Sequence, residues 1–352
     1  MTQEFKQTSL LLVGPSWVGD MVMAQGYMKA CRIRQPKMAI DVLGPEWVIP
    51  MVQRMPEVRN GVPLPIGHGE LGLKKRWQLA QELRDKQYDE AVILPRSAKS
   101  ALIPWMAGIP KRVGMKGEWR YGLINDIRHV DRQAINSTFD QFLALQNPVE
   151  TADMHRSNLY HPRLMVDELN RKRTLTRLRL TIDQPVVILA PGAEYGSAKR
   201  WPASYFGELA KLLHQEGYVV WVIGSPKERT LGGQVCIFSD GTAINLCGAT
   251  SLQDCIDLIS LACVVVTNDS GLMHIAAAVD RSIVAIFGSS SEFKTPPLSN
   301  KATILSKNMS CRPCHARRCP LGHHQCMRAI KAGDVLEACR PFLLTQIRSS
   351  LT

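Results

Sequence analysis

Apolar residues follow two alternating rhythms along this chain. Short runs such as Leu10-Leu11-Leu12-Val13 and Val186-Val187-Ile188-Leu189-Ala190 read as buried strands. Between them lie longer stretches with apolar residues at helical spacing. In the first half the pattern predicts strands over 9–14, 38–43 and 89–94, and helices over 18–34, 46–55, 73–86 and 134–146. In the second half it predicts strands over 185–190, 218–223, 243–246, 263–267 and 282–287. The helices there fall over 202–216, 227–239, 252–262 and 271–279, with a last one near 335–351. Pro202 suits a first helical turn and Ser251 an N-cap. Such alternation predicts an α/β fold of parallel sheets covered by helices on both faces.

The stretch 151–181 breaks the rhythm. It is polar and basic, with Arg171, Lys172, Arg173, Arg177 and Arg179 beyond an apolar stripe at 164–169. It reads as a linker plus one helix whose arginines form a solvated face. A chain of 352 residues is long enough for two domains. The expected division is a first doubly wound domain over 1–165 and a second over 166–352. Ligands of such sheets bind outside the carboxyl ends of the strands, so a cleft between the halves is the expected site.

Composition adds three points. Hydrophobic residues make up 45% and charged residues 21%, ordinary values that let each half bury a core. No run approaches the roughly 20 apolar residues that span a bilayer, and the run over 9–15 is too short for a signal peptide. A cytosolic protein is expected. The net charge of +12 suits an anionic partner, whether nucleic acid, lipid or phosphorylated glycolipid. An arginine-rich arm, aromatic RNA-binding motif and Cys2His2 spacing are all missing, which argues against nucleic acid.

Ten cysteines in a cytosolic chain are better read as thiols or metal ligands than as disulfides. Cys31, Cys236, Cys247, Cys255 and Cys263 sit at apolar positions and read as core; Cys339 stands apart. Cys311, Cys314, Cys319 and Cys326 crowd together as Cys-x2-Cys-x4-Cys-x6-Cys, with His315, His323 and His324 between them. That set could close a structural zinc site. Free thiols or a disulfide are the alternatives.

Three loops carry candidate chemistry. Gly14-Pro15-Ser16-Trp17-Val18-Gly19-Asp20 follows the first strand and places a carboxylate at a helix start, where it could act on substrate or cap the helix. The three-glycine dinucleotide spacing is missing. The stretch from Ala190 to Pro202 offers Gly192, Ser197 and Lys199 as a phosphate cradle, without the P-loop pattern. Val264-Val265-Val266-Thr267 feeds into Asn268-Asp269-Ser270-Gly271 and a helix start where N–H groups face an anion, with His274 one turn further in. No nucleophile elbow surrounds Ser270, which disfavours a hydrolase triad.

With GPSWVGDMVMAQ, PGAEYGSAKRWP and VTNDSGLMHIAAA in view, the chain resembles the bacterial ADP-heptose–lipopolysaccharide heptosyltransferases of glycosyltransferase family 9, the second-heptose type more than the first. RMPEV, LPRSAKSAL, the RYGLINDIR stretch and TPPLS add to the likeness, which runs from about residue 9 to residue 299. The resemblance implies a GT-B fold and an inverting, metal-independent transfer of heptose from ADP-heptose onto the first heptose of the lipopolysaccharide inner core. It implies Asp20 as catalytic base and Lys199 on the donor diphosphate. Asp269, Ser270, Gly271 and His274 would form the donor-binding helix start, and Glu228, on a looser match, would hold the ribose. The acceptor is an acidic glycolipid at the inner-membrane surface, for which Arg96, Lys99, Arg112, Lys116 and Arg120 are the candidate cations; solvated surface charge is the alternative for them. A monomer is expected. The cysteine cluster lies outside the family signature. Two other readings stay open: a relative using another nucleotide sugar, and a non-catalytic binder of anionic glycan or nucleic acid.

Overall fold

The computed structural model describes residues 8–67, 70–131, 134–146 and 158–349, with side chains as far as Leu343. The chain divides between Pro162 and Arg163 into two compact units, three residues before the boundary expected from the sequence. Leu164 already donates its N–H to Ala278 of the second unit, at 2.9 Å.

The first unit is built on six parallel strands: β1 (Ser9–Val13), β2 (Ala39–Pro45), β3 (Val58–Leu64), β4 (Glu90–Ile93), β5 (Lys111–Met115) and β6 (Asp126–Arg128). They lie in the order β3-β2-β1-β4-β5-β6. β1 and β2 are buried almost throughout, because a parallel sheet covered on both faces has no polar side. The covering helices are α1 (Val18–Arg34), α2 (Ile49–Val52), α3 (Leu73–Arg84), α4 (Leu102–Met106) and α5 (Thr138–Leu143). Close packing explains two glycines: a Cβ on Gly26 of α1 would collide with Phe139 of α5, and one on Gly14 with Met21. The helix expected over 134–146 shrinks to α5 because Ser137 caps it, accepting the Asp140 N–H. The helix expected over 46–55 is a single 3-10 turn followed by the four-residue α2.

The second unit repeats the plan. It opens with α6 (Glu168–Leu178), capped by the Asp167 carboxylate. Its strands are β7 (Val186–Ala190), β8 (Val219–Val222), β9 (Ala243–Asn245), β10 (Ala262–Asn268), β11 (Ser282–Phe287) and β12 (Ala302–Ser306). They are ordered β12-β11-β10-β7-β8-β9, all parallel. The helices are α7 (Ala203–Gln215), α8 (Arg229–Phe238), α9 (Leu252–Ile259), α10 (Gly271–Ala278), α11 (Gln325–Arg328) and α12 (Ala332–Ser349). Ser251 caps α9 as expected, accepting the Asp254 N–H. Residues from α11 and α12, among them Met327, Val335, Cys339 and Leu343, complete the core around Trp201, Phe206 and Val266.

The basic helix α6 is only partly solvated. Asn170, Thr174 and Arg177 all donate to Asp254 of α9, at 3.1, 2.7 and 2.8 Å, and bind α6 to the second unit. Cys31, Cys247, Cys255, Cys263 and Cys339 are buried as small core residues, and Cys236 is half-buried. Among the described residues, no helix is long and apolar enough to cross a membrane.

Candidate active site

Each sheet has its topological switch point between its first and fourth strands, where crossovers leave in opposite directions and open a crevice at the carboxyl ends. In the second unit the loops flanking that point follow β7 and β10. These are the two stretches singled out as phosphate-binding candidates.

The β7 loop bends around Glu228. A Cβ on Gly192 would collide with the Glu228 carboxylate, so only glycine lets the loop pass. Glu228 is buried and accepts the Ser225 N–H at 2.7 Å. A single 3-10 turn, Ser197–Lys199, closes the loop.

Asn268, the last residue of β10, fastens this loop from the other side. Its amide donates to the Pro191 carbonyl at 2.8 Å, and its carbonyl oxygen accepts the Trp201 N–H at 3.0 Å. Both limbs of the loop therefore hang on one buried side chain. In the sequence Asn268 stands out only as part of the stretch that leads into α10. A buried polar residue ending an apolar strand was the available signal, since such a group must find partners.

Beyond it, Asp269 is buried and pairs with Lys199 at 2.5 Å. Thr295 donates to its other oxygen at 3.3 Å. Ser270 precedes α10 in an extended conformation, and its hydroxyl meets that of Thr267 at 3.1 Å, so it does not cap the helix. The first N–H groups of α10 are thus left for a ligand. His274 lies one turn inside, buried, with its pKa pushed down to about 4. Burial is the main cause; Lys199 adds to it and Asp269 opposes it. The ring is neutral at physiological pH.

In the first unit the switch-point loops follow β1 and β4. Asp20 is the third residue of α1, half exposed. The N-cap position belongs to Trp17, which makes no side-chain cap bond. Arg96 and the half-buried Lys99 follow β4. Arg96 and Lys116 share a pocket of about 460 Å³ with Met115, Gly117, His129, Val130 and Asp131.

The other two candidate cations are used elsewhere. Arg112 donates to the carbonyls of Leu123, Ile109 and Gly122 at 2.7, 2.6 and 3.2 Å. Arg120 is buried and donates to the carbonyls of Pro95 and Met115; burial, with help from Arg96, lowers its pKa to about 10. These two guanidiniums hold loops together and are not a surface patch.

The cysteine segment lies between β12 and α11. Cys326 is buried, Cys314 exposed, and Cys311 and Cys319 half-buried. Burial and the three other cysteines raise the Cys326 thiol, while backbone N–H groups of residues 321–324 pull Cys319 down. Among the described residues, no three of His, Cys, Asp or Glu are grouped so as to hold a metal.

Comparison with known proteins decides the class. Residues 76–325 match the model of glycosyltransferase family 9 (heptosyltransferase). The chain belongs to glycosyltransferase family 9. This family 9 protein is 40% identical over 344 residues to lipopolysaccharide heptosyltransferase 2 of Escherichia coli K12, covering 96% of this chain and 99% of the relative. It is 41% identical over 308 residues to lipooligosaccharide heptosyltransferase 2 of Haemophilus influenzae, covering 84% and 88%. The crystal structure of the E. coli ADP-heptose heptosyltransferase II superposes with a TM-score of 0.86 at 39% identity, covering 96% of this chain and 99% of that one. The family 9 protein is thus a glycosyltransferase enzyme, and its two Rossmann-like units are of GT-B type.

Proposed function

We propose that the protein is an inverting heptosyltransferase. It moves heptose from ADP-L-glycero-D-manno-heptose onto the first heptose of the lipopolysaccharide inner core. The observation that carries this reading is the near-complete match to heptosyltransferase 2 proteins, whose names describe that class of donor and acceptor. The chemistry of the second unit supports it. Lys199, the free N–H groups of α10 and the loop over Glu228 suit a nucleoside diphosphate.

In the proposed reaction Asp20 accepts the proton of the acceptor hydroxyl as its oxygen attacks the anomeric carbon. The bond from that carbon to the diphosphate oxygen breaks, and its electron pair leaves with ADP. Lys199 and the α10 N-terminus stabilise the charge that develops there. Gly192, Ser197, Glu228, Asp269, Ser270, Gly271 and His274 complete the donor site, with Glu228 on the ribose. Arg96, Lys99 and Lys116 serve the acidic acceptor. The protein works as a monomer on the cytoplasmic face of the inner membrane, with no nucleic acid partner.

A thermal-shift panel of ADP, UDP, GDP and their sugars, followed by transfer to a purified heptose-terminated acceptor, tests this reading. ADP is expected to stabilise most, by about 2.7 kcal/mol at one hundred times Kd. A preference for UDP or GDP points to a family 9 enzyme with another donor. Binding without transfer points to a non-catalytic glycan binder. A structural metal at Cys311, Cys314, Cys319 and Cys326 is a separate proposal, supported by their spacing in the sequence. Elemental analysis of protein prepared without chelator tests it, and absence of stoichiometric metal overturns it.

A further inference from the structure

The cysteine-rich segment does more than fill space beside the sheet: its backbone is bonded to the β7 loop. The Ala198 N–H donates to the Arg317 carbonyl at 3.1 Å, and the Tyr195 hydroxyl donates to the His315 carbonyl at 2.9 Å. A Cβ on Gly196 would collide with the Arg317 carbonyl oxygen, so glycine there lets the two segments touch. The segment is itself anchored. His315 donates its N–H to Ser289 at 2.8 Å, and Arg312 donates to the Gly288 carbonyl at 3.0 Å and to Glu292 at 2.9 Å.

Arg317 differs from Arg312. Its side chain is exposed, and among the described residues its guanidinium has no carboxylate partner. It lies over the Tyr195 ring at 5.3 Å, and the Lys199 ammonium approaches the same ring at 5.2 Å. Two cations share one ring although, among the described residues, the only acid paired with either is Asp269, on Lys199. A diphosphate carries more negative charge than a lysine already bound to a carboxylate can offset. A guanidinium held nearby by its own backbone supplies the missing charge in a fork that matches phosphate oxygens.

We infer that Arg317 is a binding residue for the donor diphosphate, delivered to the β7 loop by the cysteine-rich segment. The inference rests on the reading of the β7 loop as the donor phosphate site. The test measures ADP and adenosine affinity by calorimetry, with melting temperature, for Arg317→Gln, Arg317→Lys, Arg318→Gln and Lys199→Ala. Arg317→Gln is expected to weaken ADP about ten- to a hundredfold. Adenosine affinity and the melting point should hold. Arg317→Lys should recover part of the loss, and the neighbouring Arg318→Gln should behave as wild type. A loss in Lys199→Ala with none in Arg317→Gln overturns the inference and leaves the loop reading standing. No loss in either overturns the loop reading and the inference with it. If Arg317→Gln weakens adenosine as much as ADP and lowers the melting point, Arg317 is only a strut beneath Tyr195, and the inference also fails.

Discussion

Lys199 and Asp269 face each other at 2.5 Å across the switch point of the second sheet, one from the loop after β7 and one from the end of β10. On the proposed donor-site reading, the pair fixes the ammonium before a phosphate arrives, which spares a bound ligand the cost of ordering a long side chain. Lys199→Ala should weaken ADP by about 1.5–3 kcal/mol, the strength of a charge-assisted contact. Isothermal titration checks this, and unchanged affinity would remove Lys199 from the site. Some loss of melting temperature should accompany it, because buried Asp269 then loses its ion pair and keeps the Thr295 hydroxyl.

Asp20→Asn separates a base from a helix-dipole residue. Trp17 occupies the N-cap of α1, so the substitution should cost under about 1 kcal/mol of stability. As a base its loss should slow transfer about 10²–10⁴-fold while ADP still binds. Stopped transfer assays with calorimetry on the same preparation give both numbers. Near-normal turnover would turn attention to His129, which lines the first-unit pocket, or to Asp126, which is paired with Arg128 at 2.8 Å. The third alternative, His68, lies outside the described residues.

The four arginine and lysine positions with known surroundings should split into two classes. Arg96→Ala and Lys116→Ala, at the 460 Å³ pocket, should raise the acceptor KM and flatten its salt dependence, leaving the donor KM alone. Arg120→Ala should instead destabilise the fold by about 3 kcal/mol, since the buried Met115 carbonyl and the part-buried Pro95 carbonyl lose a charged donor. Arg112→Ala should behave like Arg120→Ala, more mildly. Equal salt response for donor and acceptor would argue against the pocket as the acceptor site.

His274 sets an acid limit on stability. Its folded pKa, near 4, lies below the ordinary value of 6.5, so between these values the unfolded chain binds the extra proton. Stability from this group is present in full above pH 6.5. It falls as the pH drops toward 4, by up to about 1.4 kcal/mol per pH unit. Denaturant midpoints at pH 7 and pH 5 should differ less in His274→Gln than in wild type. An identical pH dependence would show that the ring does not titrate in this way.

The strands inside each sheet are mostly legible in the sequence, as is the edge strand β9, whereas β3, β5, β6 and β12 are not. β1, β7 and β10 are buried on both faces and print as unbroken apolar runs. β3, with Arg59, Asn60, Gly61 and Pro63, is an edge strand and reads as a loop, because an edge tolerates proline and polar groups. The short edge strands β6 and β12, and β5 with its leading Lys111-Arg112, lack an apolar run for the sequence to show. The two loops proposed for the donor stand out in the sequence because glycine, lysine and a helix start occur together at a strand end. Arg112 and Arg120 do not, because charge counts say nothing about which carbonyls a guanidinium will meet. Arg317 lies in a segment whose most conspicuous sequence feature is its cysteine spacing, and nothing in that spacing marks an arginine.

The indole N–H of Trp201, at the foot of the β7 loop, donates to the carbonyl of Ile330, 129 positions further along, at 2.8 Å. During synthesis the ribosome must therefore add more than a hundred residues before this tryptophan can be seated. Until then the second sheet lacks the residues of α11 and α12 that close its core, and the nascent segment exposes apolar surface to chaperones. The first unit needs nothing from those residues to pair its own six strands, so it can mature while translation continues. Stop codons near residue 330 should accordingly yield chains with a folded front half and a protease-sensitive remainder.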